Sequence, residues 1–266
     1  MREDLINRAK QSLYWIGPPV VVFALVFALW EISVRVSEIE PYLLPPPSRI
    51  IIEVVTNISE YCLNTLVTMG EAIGGFILGA AVAIIGATVM YQSRFLERGL
   101  LPLAILIKVT PIIAIAPLFV IWFGFGLLPK LLIAAIITFF PVLVNCLAGM
   151  RATSSDITDL LKSLNASKFE IMIKASFPNS YPYLLSSFKI AIPLAVIGAV
   201  VAEWFSGDRG LGSMIIRANN NLDMPQLFGA VFMLALMGIL LTTLVLYIEK
   251  KLLFWHDSQK VENDIG

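Results

Sequence analysis

Six stretches of about twenty apolar residues recur along this chain, each near the length a helix needs to cross about 30 Å of hydrocarbon. They are Ile16–Val34, Leu66–Met90, Leu100–Trp122, Leu131–Met150, Tyr183–Val201 and Leu227–Ile248. The chain is 58% hydrophobic and 14% charged, with mean hydropathy +0.84, which is more apolar surface than one soluble core can hide. The expected fold is therefore all-α and integral to the membrane, with the lipid bilayer as its first partner. A formal net charge of zero gives no reason to expect nucleic acid or a strongly charged substrate.

Orientation follows from the flanks. An even number of spans puts both termini on one side, and that side collects Arg2, Arg8, Lys10, Arg94, Arg98, Arg151, Lys162, Lys168, Lys174, Lys250, Lys251 and Lys260. The other side holds Arg35, Arg49, Lys130, Arg209 and Arg217. The excess of basic residues marks the first side as cytoplasmic. The apolar run after Met1 to Ser12 is too long for a signal-peptide core and lacks a small-residue cleavage site, so the first span is expected to be retained.

Several spans depart from a plain apolar rod. Gly70, Gly74, Gly75 and Gly79 form two small-xxx-small pairs that suit close helix approach. Pro102, Pro111 and Pro117 remove backbone donors from the third span, which should be kinked or unwound and so line protein or a water-filled cavity. Between spans one and two, Pro45-Pro46-Pro47 precedes Ser48, which could cap an outer interfacial helix reaching Ile58.

Ionisable or polar groups inside apolar spans are costly, and they are the first functional suspects. Lys108, Pro111, Asn145 and Glu71 are the candidate translocation-path residues, although Lys108 could snorkel to the cytoplasmic interface and Glu71 could serve a structural pair. Glu203, Gly210 and Gly212 fall where the fifth span meets the outer face, and they read as an outer gate or scoop. The glycines around Asp208 and Arg209 follow an apolar helix, not a strand, and lie away from cytosolic nucleotide, which argues against a phosphate loop. Asn219, Asn220 and Asn221 suit a solvated turn.

Catalysis finds no footing. The only histidine, His256, follows Trp255 beyond the last span, and Cys62 and Cys146 have no metal-type spacing, so no metal site and no bound cofactor are expected. No Ser-His-Asp motif and no Gly-Lys-Ser/Thr loop is present, so an energy source must come from another polypeptide. A proton- or sodium-coupled secondary carrier would call for inverted repeats and mid-membrane acids, and a membrane enzyme for clustered His or carboxylates. Neither pattern is visible.

Between the fourth and fifth spans lies a polar, helix-competent island, Asp156 to Pro178, much longer than a plain connector. Its order is an amphipathic helix, a turn at Asn165, a second helix and a terminating Pro178. The island resembles the loop of inner-membrane permeases of binding-protein-dependent ATP-binding-cassette importers, whose pattern is Glu-Ala-Ala, three residues, Gly, nine residues, Ile, one residue, Leu-Pro. Asp159-Leu160-Leu161, Asn165, Ala175, Phe177 and Pro178 keep that spacing, Asp retaining the carboxylate and Asn tolerating the left-handed turn usually given to Gly. Ala116-Pro117-Leu118, Trp122 to Gly126, Phe139 to Asn145, and Glu203 with Gly210-Leu211-Gly212 are similar to the branch serving nitrate, sulfonate, taurine, bicarbonate, riboflavin and pyrimidine precursors.

The resemblance implies a transport subunit without its own ATPase site. Two permease copies would form the path, a cytosolic ATPase dimer carrying ATP and Mg would dock on the loop, and an extracytoplasmic binding protein would deliver the solute. The loop residues implied in coupling are Asp159, Leu160, Leu161, Leu164, Asn165, Ala166, Phe169, Phe177 and Pro178. The implied division is a cytoplasmic segment at 1–12, the first span and outer segment at 13–62, the permease domain at 63–255 and a cytoplasmic tail at 256–266. The solute suggested by the wording around Gly124 to Lys130 and Ala195 to Glu203 is a flat heterocycle of the pyrimidine or riboflavin type, with sulfonate, taurine, nitrate or bicarbonate as the alternative.

Overall fold

A computed structural model describes residues 2–253, with side chains described from Gly17 onward, so Trp255, His256 and the tail lie outside the described residues. Every regular element among the described residues is helical. The first is α1 (Arg2–Val36), which runs through Pro18 and Pro19 and is mostly exposed along Gly17–Val36. It is fastened near its end, where Trp30 packs against Phe228 and the Glu31 carboxylate accepts from both the backbone N–H and the hydroxyl of Ser48, at 3.0 and 2.8 Å.

Ser48 therefore does not cap the outer helix. That helix, α2 (Pro47–Thr56), has Pro46 as its N-cap residue and Pro47 at its first helical position, where a proline has no N–H to leave unsatisfied. After Asn57 the chain enters α3 (Ile58–Gln92), which starts eight residues before the apolar run at Leu66 and carries Tyr61 and Asn64 into buried positions.

Next come α4 (Arg94–Val109) and α5 (Ile112–Phe123), bent by 97°. The third apolar run is thus broken into two helices, and of its three prolines only Pro111 lies at the break; Pro102 and Pro117 are absorbed inside helices. Among the described residues five helices are long and apolar enough to cross a membrane, or six if this pair counts as one span.

The centre is α6 (Leu127–Arg151), held between α3 and α10 (Tyr181–Ser206). Small residues allow this. A Cβ on Gly75 would strike Ala134 and the Leu131 carbonyl, one on Gly79 would strike Thr138 and Ala135, and one on Gly198 would strike the Ala134 backbone. Gly70, in contrast, faces open space, so the contact pair is Gly75 and Gly79. The helices meet through Ala80, Ala83, Ala87, Val142, Leu143 and Cys146, all buried. Gly79→Ala should cost about 1–3 kcal/mol, read as a lower thermal unfolding midpoint in detergent, whereas Gly70→Ala should change it little.

The polar island forms α7 (Ser155–Ser163), α8 (Lys168–Ile171), a π turn (Met172–Ser176) and α9 (Phe177–Asn179), and leads through Ser180 into α10. Beyond α10, a short α11 (Leu211–Asn220) precedes α12 (Met224–Leu252). Asn219 and Asn220 are helical, not a solvated turn, since Leu211, Met214 and Ala218 bury one face of α11.

Candidate functional site

Two constellations stand out, one at each end of the bundle. The first is the island. Helix α7 opens on Ser154, whose hydroxyl accepts from the Asp156 N–H, and closes in a Schellman turn. The Asn165 N–H donates to the Lys162 carbonyl and the Ala166 N–H to the Leu161 carbonyl, both at 2.9 Å, with Asn165 at φ +59°. Asn165 thus makes the turn between the two helices, as its spacing suggests.

Helix α8 then starts with a capping box: the Glu170 N–H donates to the Ser167 hydroxyl, and the Glu170 carboxylate accepts the Ser167 N–H at 2.9 Å. Ser167-x-x-Glu170 is a readable sequence signal for that start. The backbone and hydroxyl of Ser167, with Lys174 adding its charge, hold the Glu170 carboxyl at about 2, below its ordinary 4.5. Because the folded value is depressed, the box contributes fully above pH 4.5 and fails as pH falls through about 2. Hydrogen-exchange protection of residues 168–171 should be constant from pH 7 to 5 and drop toward pH 2, and Glu170→Gln should flatten that drop.

Pro178 does not end the second helix. The π turn lets the Phe177 N–H reach back to the Met172 carbonyl, and this wider register carries the chain past Pro178, which donates nothing. The island is tied to the bundle by the Tyr91–Ser176 hydroxyl pair at 2.7 Å and by Asn179 donating to the Gly149 carbonyl at 2.9 Å. What it turns outward is apolar: Leu160, Leu164 and Phe169 are 61%, 68% and 57% exposed. Asp159 is exposed and pairs with Lys162, while Leu161, Ala166 and Phe177 are half-buried. An exposed apolar face on a doubly capped, anchored helix pair is suited to receive another protein surface.

The second constellation is a polar cluster inside the opposite end. Glu203, on α10, is fully buried; its carboxylate accepts from the Thr68 hydroxyl at 2.7 Å and from the Gly212 N–H at 2.5 Å. The Thr68 oxygen accepts the Leu211 N–H, and Asn64 accepts the Gly210 N–H, both at 2.8 Å. Side chains from α3 and α10 thereby satisfy the first backbone donors of α11. Gly210, at φ +109°, has no room for a Cβ because the Glu203 carboxylate occupies that space. Glu203, Gly210 and Gly212 are therefore brought together, but as an enclosed anchor and not as an open gate surface.

Glu71 is likewise enclosed, at 4% exposure, and does not line an open path in this chain. The Lys130 ammonium, itself 3% exposed, donates to it at 2.8 Å and lies 3.6 Å from Asp208. Burial pushes the Asp208 carboxyl up, but the Lys130 charge and nearby backbone donors outweigh this and hold it below its ordinary value. Lys130, Thr68 and Asn64 carry no motif; only their position near the ends of apolar runs marks them, because their partners are far away in sequence.

The remaining path candidates sit at or near the break between α4 and α5. Pro111 is at the break, and Lys108, one turn before it, is exposed with its ammonium 4.6 Å from the centre of the Phe140 ring. Asn145 is half-buried and donates to the carbonyl of Pro141 at 2.8 Å, so its amide is turned onto its own helix. Beside the break lies a cavity of about 300 Å³ whose wall includes Ile107, Thr110, Leu118, Phe119 and Trp122.

Comparison with known proteins is consistent across sequence and fold. Residues 66–253 match the family model described as binding-protein-dependent transport system inner membrane component. The chain is 34% identical over 256 residues to the formylaminopyrimidine transport permease protein ThiX of Halalkalibacterium halodurans, covering 96% of this chain and 100% of that one. It is 32% identical over 255 residues to the riboflavin transport system permease protein RibX of Chloroflexus aurantiacus, covering 94% and 95%. Among solved structures, a chain of the inward-facing MetNI methionine ABC transporter superposes with a TM-score of 0.63 at 13% identity, over 71% of this chain and 94% of that one.

Proposed function

This chain belongs to the family of binding-protein-dependent transport system inner membrane components, and from that premise we propose that it passes a flat, heterocyclic vitamin precursor of the pyrimidine or riboflavin type through the membrane. It is the permease subunit of an ATP-binding-cassette importer. In our reading both termini are cytoplasmic, a second copy of the chain completes the path, and a binding protein delivers solute at the face that carries α11. ATP and Mg belong to a partner ATPase dimer, and this chain holds no cofactor of its own.

The solute class is carried by one observation, the full-length likeness to permeases named for formylaminopyrimidine and for riboflavin. The cavity at the α4–α5 break supports it. Its wall offers the rings of Phe119 and Trp122 with one hydroxyl, from Thr110, a lining that passes a planar aromatic solute more readily than a sulfonate anion. Coupling would run through the outward apolar face of α7 and α8. With Leu160, Leu164 and Phe169 set in a groove of the ATPase, closure of the ATPase dimer would move the anchored helices as a rigid body.

The test is ATPase activity of the reconstituted complex in lipid discs, with the binding protein loaded in turn with pyrimidines, riboflavin, taurine or nitrate. Stimulation by a pyrimidine- or flavin-loaded form is the expected result. Stimulation by taurine or nitrate alone would overturn the solute class but keep the importer. Failure to assemble with any ATPase subunit would overturn the proposed coupling and return an ATP-independent carrier to consideration.

A further inference from the structure

At the corner where α3 ends and α4 begins, guanidinium groups stand above an apolar slope. A cavity of about 370 Å³ has Arg94, Glu97, Arg98 and Arg151 at its polar end. Leu101, Pro102 and Ile105 form the rest of its wall. Glu97 is committed to Arg151 at 2.6 Å, while Arg94 and Arg98, one helical turn apart, have no ion-pair partner among the described residues. Positive charge is therefore in excess.

The order of the wall along α4 is informative. Moving from Arg94 to Ile105 advances roughly 16 Å along a helix, from the basic end into the apolar run. Phe95, 85% exposed between the two arginines, is the sort of ring that settles at headgroup level. A soluble anion would use the guanidinium groups and leave the slope bare, whereas a ligand with a phosphate and a hydrocarbon tail fits both. We propose that this corner binds an anionic phospholipid, its phosphate held by Arg94 and Arg98 and one acyl chain lying along Leu101, Pro102 and Ile105.

The site adjoins the island. A second cavity, of about 310 Å³, shares Arg94 and Arg151 with the first and is closed on its far side by Lys162 and Lys168 of α7 and α8. A bound headgroup would sit beside the segment that faces the partner, and would add negative charge where five basic side chains converge.

Native mass spectrometry of the full chain, released from detergent containing equal amounts of a phosphatidylglycerol and a phosphatidylcholine with the same tails, tests the proposal. Wild type should retain the anionic lipid roughly tenfold over the zwitterionic one. The double variant Arg94→Gln/Arg98→Gln should retain the two alike, and Arg49→Gln, at the opposite end of the bundle, should keep the preference. Wild type alone supplies a second measurement: millimolar inorganic phosphate should leave the lipid in place. Equal retention of both lipids by wild type, or an unchanged preference in the double variant, would overturn the site. Displacement by inorganic phosphate would overturn the lipid in favour of a soluble anion.

Discussion

Lys130→Met should cost about 3–5 kcal/mol of stability, because it leaves the Glu71 carboxylate buried without its counter-charge. Glu71 is 4% exposed, its second oxygen lacks a hydrogen-bond partner, and Lys130 is the one cation in contact with it among the described residues. The loss should appear as a much lower thermal midpoint and reduced recovery of monodisperse protein from detergent. The informative companion is Glu71→Met/Lys130→Met. If the pair matters as a pair, removing both charges restores most of the stability, since an apolar replacement of similar volume is often neutral. A Lys130→Met protein as stable as wild type would show that the two groups do not meet as described.

The other large effect falls on the island. Asn165→Pro forces φ from +59° to about −65° and deletes the N–H that donates to Lys162, so the Schellman turn cannot close. Helices α7 and α8 should then lose their relative setting while the spans, which do not depend on this turn, still insert. Uptake in reconstituted vesicles should fall at least roughly tenfold, the energetic equivalent of about 1.4 kcal/mol, with the amount of chain in the membrane unchanged. Asn165→Gly, which enters the left-handed region without strain, should transport like wild type. Unchanged uptake by the Pro variant would sink the idea that this turn sets the coupling geometry.

Much of the architecture is legible before any coordinates because lipid imposes a length on each apolar run and leaves helix as the way to satisfy the backbone. The island is legible for a related reason: Ser, Asn and Glu at helix ends act on neighbours within a few residues, so their roles are printed locally. Three features escape that logic. Lys130 sits in an outer basic flank, and only the packing of α6 on α3 turns it toward a carboxylate 59 residues away. Helix α11 is short and follows two glycines, and its first donors are satisfied by Asn64 and Thr68 from another helix, 146 and 143 residues distant. Pro178 looks like a stop, yet a π turn, which no local composition announces, carries the helix through it.

The order of synthesis gives the Glu71–Lys130 pair a further meaning. Helix α3 leaves the ribosome with its acid 59 residues ahead of the lysine that neutralises it. At about 5–20 residues per second, several seconds separate the two. During that interval the lone carboxylate, about a turn inside the apolar run that begins at Leu66, works against membrane entry by less than the roughly 3 kcal/mol of a charge at mid-membrane. That penalty falls away when α6 emerges and brings Lys130 beside the acid. Helices α3 and α6 run parallel, Gly75 against Ala134 and Gly79 against Thr138, so the pair closes only after α4 and α5 have carried the chain back to the face where α3 began.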